Sequence, residues 1–183
     1  MRITGGHWKG RQINAPKGTR VRPTSAKVRE AIFSILTRSS VVDTHVVDLY
    51  CGAGTLGLEA LSREAADVLF VDGDKRNLVW VRRNLKTLQG EKEGRILHRR
   101  LPDGIDRSVG GSFDLVFSDP PYNCDVMRTI GERLIASDIL SAQALWIHEL
   151  SSKNAEPNEL DGWELLKIRR YGDTMICVSK RVV

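Results

Sequence analysis

Val46-Val47-Asp48-Leu49-Tyr50-Cys51-Gly52-Ala53-Gly54-Thr55-Leu56-Gly57 is the stretch that decides the fold. A short apolar run ends in closely spaced glycines, and a helical apolar pattern starts directly behind them, which reads as strand, tight turn and helix. Glycines 52, 54 and 57 let the backbone approach a ligand. Asp72 follows at the end of the next apolar run, where a carboxylate can accept hydrogen bonds from ribose hydroxyls. The spacing predicts a nucleoside-containing cofactor and fits the dinucleotide fingerprint, so a nicotinamide cofactor is one reading. Asp48 favours another. A pyrophosphate at a helix N-terminus is repelled by a nearby carboxylate, whereas the ammonium and sulfonium of S-adenosylmethionine are attracted by one. Asp48 can also cap the loop by accepting backbone N–H bonds.

Outward from this unit, strands and helices alternate as in a parallel sheet with crossover connections. Strands are expected at 45–50, 67–72, 95–99, 113–118 and 143–150. Helices are expected at 56–64, 75–88 and 126–136, and an antiparallel terminal hairpin at 163–171 and 174–180. The fourth strand, Phe113-Asp114-Leu115-Val116-Phe117-Ser118, runs into Asp119-Pro120-Pro121-Tyr122. Two prolines cannot continue a ladder, so the strand stops with a carboxylate at the sheet's carboxyl edge, where open α/β sheets bind ligands. An aromatic ring follows at once.

Ahead of the sheet, 2–4 and 10–14 read as a short hairpin with Trp8 exposed near its tip, and Ser25 to Leu36 as a helix with Val28, Ala31, Ile32, Ile35 and Leu36 on one face. The division expected is a basic hairpin-and-helix extension over 1–40 and a catalytic domain over 41–183. Residues 1–30 hold eight basic side chains against the single acid Glu30, a local charge of +7 in a chain whose total is +5. Such an arm fits a polyanion, with nucleic acid foremost. Arg2, Lys9, Arg11, Arg20 and Arg22 are the candidate phosphate contacts and Trp8 a candidate stacking group. The chain is long enough for one core, has no membrane-spanning run and no signal-peptide pattern at its start, and is expected in the cytoplasm. Cys51, Cys124 and Cys177 are widely spaced and odd in number, so they read as reduced thiols rather than a disulfide framework or zinc site.

These residues resemble the class I S-adenosylmethionine-dependent methyltransferases that act on amino nitrogens. Asp48 to Gly57 is similar to their cofactor loop, Asp72 to the ribose-binding acid with Asp74 close by, and Asp119-Pro120-Pro121-Tyr122 to their catalytic motif. Three further sets, Arg2-Ile3…Gly5-Gly6…Lys9-Gly10-Arg11, Arg22-Pro23-Thr24…Val28-Arg29-Glu30-Ala31…Phe33-Ser34-Ile35-Leu36 and Gly57-Leu58-Glu59-Ala60-Leu61-Ser62-Arg63, resemble the RsmD family, which methylates N2 of a guanine in small-subunit (16S) ribosomal RNA. The resemblance implies a Rossmann-like, mostly parallel seven-stranded sheet with a C-terminal antiparallel hairpin. It also implies S-adenosylmethionine as cofactor, 16S rRNA or the assembling small subunit as partner, and no metal or membrane. A monomer is expected. Tyr50, Cys51, Arg100 and Leu101 join the cofactor contacts; Arg100 stands where family members carry Asp or Asn beside the adenine. Adenine-N6 or another nucleic-acid amino group, and a non-catalytic RNA-binding assembly factor, are the alternatives.

Overall fold

The computed structural model describes residues 1–15, 25–120, 124–152 and 160–182. Arg20, Arg22, Pro121 and Tyr122 therefore lie outside the described residues. Seven strands form one sheet: β1 (His45–Leu49), β2 (Asp67–Asp72), β3 (Gly94–His98), β4 (Phe113–Ser118), β5 (Leu140–Ser151), β6 (Trp163–Tyr171) and β7 (Thr174–Arg181). Their spatial order is β3-β2-β1-β4-β5-β7-β6. The first five are mutually parallel, and β7 runs antiparallel between β5 and β6.

Helices cover both faces, as parallel strands require. One face carries α1 (Ala26–Ile35), α2 (Thr55–Ser62) and α3 (Lys75–Leu88), whose Val28, Ile32, Phe33, Leu58, Val81 and Leu85 pack with Val46, Phe70 and Phe117. The opposite face is closed by α4 (Cys124–Ala136), whose Met127, Ile130 and Leu134 meet Val47, Val116 and Trp146. Burying one such side chain contributes roughly 1.5–3 kcal/mol. The helix starts are specified locally. Ser25 Oγ accepts from Val28 N at 3.3 Å and Asp74 Oδ1 from Arg76 N at 2.8 Å, each satisfying a donor the first helical turn leaves free.

Element types and order follow the sequence pattern, and boundaries move by a few residues. The largest shift is at β5, which starts at Leu140 rather than 143 because Phe113 pairs with Leu140 before a register irregularity. The N-terminal segment pairs as a hairpin through Ile3 N to Arg11 O (3.0 Å) and Ile13 N to Met1 O (2.9 Å), although only the Arg2–Gln12 bridge is regular. Its tip differs from expectation. Trp8 is only 8% exposed and its indole lies against Gly90, where a Cβ would come within 2.6 Å of the ring. A residue so enclosed offers no open face for a base. The burial has a reason: His7 N and Trp8 N donate to Ser62 O (2.8 Å) and Ser62 Oγ (2.9 Å) on α2, so the tip folds down onto the domain. Ile3, Trp8 and Ile13 share one core with α1 and the sheet. Among the described residues no helix is long and apolar enough to cross a membrane.

Candidate active site

The order of strands reverses at β1 and β4, which are neighbours with crossovers leading away on either side. Open α/β sheets form a crevice at that point. Leu49 is in register with Val71 on β2 and with Ser118 on β4. The residues that follow, Tyr50-Cys51-Gly52, Asp72 and Asp119-Pro120, therefore emerge together at the carboxyl edges of three adjacent strands.

Gly57 and Gly52 answer to different constraints. At Gly57, an added Cβ would lie 2.4 Å from Phe70 Cε1 and 2.8 Å from Val68 Cγ1; this glycine exists so that α2 can press onto β2. Gly52 has φ +55°, and the space where its side chain would stand is open. Its backbone can be approached directly, and its N–H donates to Asp72 Oδ2 at 2.8 Å.

Asp72 is held from several directions, with Asp74 N on Oδ1 at 2.7 Å and Asn77 Nδ2 on both oxygens at 3.2 Å. Asp74, the alternative ribose acid, is otherwise employed. It caps α3 and pairs with Arg76 at 2.7 Å, and that hydrogen-bonded pairing holds its carboxyl below the usual range. Of the two, Asp72 faces the glycine loop. Asn77, which holds Asp72, was not evident in the sequence; its place in the first turn of α3 was the available signal.

Asp48 is 2% exposed and accepts from Gly57 N at 2.9 Å, so it caps the first turn of α2. Burial raises its pKa to about 7, with the Gly57 bond opposing and the carboxylates of Asp119 and Asp72 adding to the rise. Three acids thus converge on this edge, an arrangement that disfavours phosphate and favours a cationic group. Tyr50 takes φ +56° and packs against the same core cluster as Leu97 and Leu101; burial, then Asp103 and Asp72, push its phenol to about 12. Arg100 is exposed, and its carbonyl accepts from Gly104 N at 2.8 Å. Cys51 is buried, and its thiol is pushed well up by burial and by Asp48 and Asp72, which suits a packing residue and not a nucleophile. Asp119 is half-buried and Pro120 buried. Ser118 Oγ, beneath them, accepts from Trp146 Nε1 at 2.9 Å, fixing the end of β4. Next to it His148 is buried with Nδ1 unpartnered among the described residues, and burial lowers its pKa to about 3; it is neutral and remains an interior residue.

Of the basic arm, Arg2, Lys9 and Arg11 are exposed. Arg2 Nη1 donates to Gly10 O at 2.7 Å, and Arg11 donates to the Thr87 and Leu88 carbonyls at the end of α3. A deeper layer anchors the arm. Fully buried Glu59 receives Thr4 N (2.8 Å), Thr4 Oγ1 (3.0 Å), Arg29 Nε (3.3 Å) and Arg63 Nη1. Buried Asn84 pairs with both backbone groups of Asn14 at 2.8 Å and donates to Ala53 O, inside the glycine loop, at 3.1 Å. The signal for Asn84 was its amide on the buried stripe Leu78, Val81, Leu85 and Leu88.

The order β3-β2-β1-β4-β5-β7-β6, mostly parallel with β7 reversed between β5 and β6, is that of a Rossmann-like class I methyltransferase fold. The family described as Conserved hypothetical protein 95 matches residues 1–180. Ribosomal RNA small subunit methyltransferase D of Escherichia coli K12 is 32% identical over 99% of this chain and 90% of its own length. The putative rRNA methyltransferase YlbH of Bacillus subtilis is 31% identical, with 99% of each covered. The solved structure of the putative methyltransferase yhhF from Escherichia coli superposes with a TM-score of 0.88, at 30% identity over 100% of this chain and 98% of that one. The chain belongs to the family of Conserved hypothetical protein 95, the RsmD family.

Proposed function

We propose that this protein transfers a methyl group from S-adenosylmethionine to the exocyclic N2 of a particular guanine in 16S rRNA, free or within the assembling small subunit. The reading rests above all on one juxtaposition: the open Gly52 backbone follows β1, with the Asp72 carboxylate at the end of β2 on one side of it and Asp119-Pro120 at the end of β4 on the other. The naming of relatives as ribosomal RNA methyltransferases supports the substrate class.

In this reading Asp72 receives the ribose hydroxyls in place of the shared, longer Asn77 bonds, and Tyr50 and Leu101 form the apolar wall beside the adenine with Arg100 at its rim. Asp48, Cys51, Gly54 and Gly57 shape the loop. Bound S-adenosylmethionine supplies an electrophilic methyl on a cationic sulfur, and the acidic edge suits that charge. A guanine amine is a poor nucleophile because its lone pair is delocalised into the ring. Asp119 accepts one of its N–H bonds and the Pro120 carbonyl the other, which favours the pyramidal nitrogen of the transition state; Pro121 keeps the turn rigid and Tyr122 stacks on the base. With S-adenosylmethionine bound, the nitrogen held by Asp119 and Pro120 would take the methyl, its N–C bond replacing the S–C bond, and its surplus proton would pass to water. A base within folded RNA has to be turned out first. Arg2, Lys9, Arg11, Arg20 and Arg22 grip phosphates.

The test is transfer of labelled methyl to small subunits, deproteinised 16S rRNA and DNA in parallel, with digestion to locate the label. Label on guanine N2 in rRNA is expected; none on rRNA in either form rejects the reading, and label on adenine N6 would reassign the base. Asp119→Ala should lower kcat by about 10²–10³-fold while cofactor affinity stays within a few-fold.

A further inference from the structure

The charge that drew attention to the N-terminal arm has a counterpart on α3. This helix, Lys75-Arg76-Asn77-Leu78-Val79-Trp80-Val81-Arg82-Arg83-Asn84-Leu85-Lys86-Thr87-Leu88, holds five basic residues and no acid. Its inner stripe is buried. The outer side consists of two neighbouring rows at helical spacing, Lys75-Val79-Arg82-Lys86 and Arg76-Trp80-Arg83-Thr87. Arg76 pairs with Asp74, but among the described residues Lys75, Arg82, Arg83 and Lys86 face no carboxylate within ion-pair distance. In their midst Val79 is 40% exposed, and the Arg83 guanidinium lies 5.0 Å from the centroid of the half-buried Trp80 ring. A cationic rim around a small aromatic and aliphatic centre is what a nucleic-acid strand meets well, with phosphates at the rim and a base or ribose at the centre.

We propose that the outer face of α3 is a second RNA contact, continuous with the N-terminal arm. Resting on the rRNA reading above, it deepens that reading by locating where RNA runs outside the crevice. The two ends of the helix carry the path. Its first turn adjoins Asp72 through Asn77, and its last turn holds Arg11 through the Thr87 and Leu88 carbonyls. RNA gripped by the arm therefore follows α3 for about 20 Å toward the edge where Asp119 stands.

Arg82→Gln/Arg83→Gln/Lys86→Gln in the full chain tests this, with Lys167→Gln/Arg169→Gln on the exposed side of β6 as control. Binding to deproteinised 16S rRNA is measured across a salt series, alongside S-adenosylmethionine affinity and methyl transfer. The α3 variant should weaken RNA binding by at least about tenfold and flatten the slope of log affinity against log salt by about 2–3. Cofactor affinity and kcat at saturating rRNA should stay within about twofold. Trp80→Ala should weaken RNA about fivefold and leave the salt slope unchanged, which separates stacking from charge. Affinity and slope equal to those of the β6 control overturn the proposal. So does normal binding to bare rRNA with loss of methylation only on assembled subunits, since the face would then meet a ribosomal protein. Failure of the wild-type chain to methylate rRNA rejects the enzymatic reading instead, and the binding arm is read without it.

Discussion

Asp48 sits where two demands meet. It must cap α2 from inside the core, and it belongs to a trio of carboxylates at the crevice. With a folded pKa near 7 against an ordinary 3.8, the folded chain keeps a proton that the unfolded chain has already lost. Stability from this group is complete below about pH 4 and is lost as pH rises through 7. Asp48→Asn keeps an oxygen for Gly57 N and removes the titration. Melting followed by circular dichroism should show the wild type losing roughly 2–4 kcal/mol relative to the variant between pH 4 and 8; parallel curves would show that Asp48 does not titrate there. His148 works in the opposite direction. Buried neutral with its pKa near 3, it costs stability as pH falls below the ordinary 6.5 because only the unfolded chain takes up the proton. The comparison with the Asn variant, in which His148 is unchanged, isolates Asp48. At this scale Asp48 and Asp72 were legible as carboxylates at strand ends, with Asp74 close by; that Asp74 caps α3 is visible only in the structure.

Among the elements, the strand-turn-helix unit of β1 and α2 separates packing from ligand approach. Gly57→Ala drives a methyl into Phe70 and Val68, so it should cost about 1–3 kcal/mol of stability by denaturant unfolding, with cofactor affinity altered only as far as α2 shifts. Gly52→Ala meets no protein atom and strains only its φ of +55°, about 1–2 kcal/mol. Its larger effect should be at least about tenfold weaker S-adenosylmethionine binding by calorimetry. Equal losses of stability and affinity in the two variants would contradict this division. The helices and strands themselves were readable because a half-buried helix and a buried strand impose different apolar periods. The start of β5 was not, since residues 140–142 join the strand through the Phe113–Leu140 pairing with β4 and not through any local pattern.

Across the whole molecule, the N-terminal arm is part of the core. Glu59 and Arg29 are both fully buried, and their pairing is completed by Thr4 and Arg63. Glu59→Gln leaves Arg29 charged in a dry site and should cost about 3–5 kcal/mol, seen as one cooperative loss of the whole fold. Selective release of the arm, detected as early proteolysis ahead of Trp8 with an unchanged melting temperature, would be the contrary result. The motif Gly57 to Arg63, noticed as a family feature, thus has a physical reason: Gly57 seats the helix, and Glu59, Ser62 and Arg63 receive the arm.

The sequence by itself determined the alternation of strands and helices, the place of the glycine turn, the strand end at Asp119-Pro120 and the basic arm. These follow from local causes: side-chain period, backbone freedom at glycine, the missing N–H of proline, and the count of charges. Only the tertiary structure decided that Trp8 is interior, that Glu59 and Asn84 bind the arm to α2 and the glycine loop, and that α3 turns an acid-free basic face outward. Burial and pairing depend on which distant segments meet, as Thr4 meets Glu59 and Asn14 meets Asn84, and such meetings are set by the packing of the whole chain and not by any stretch of it.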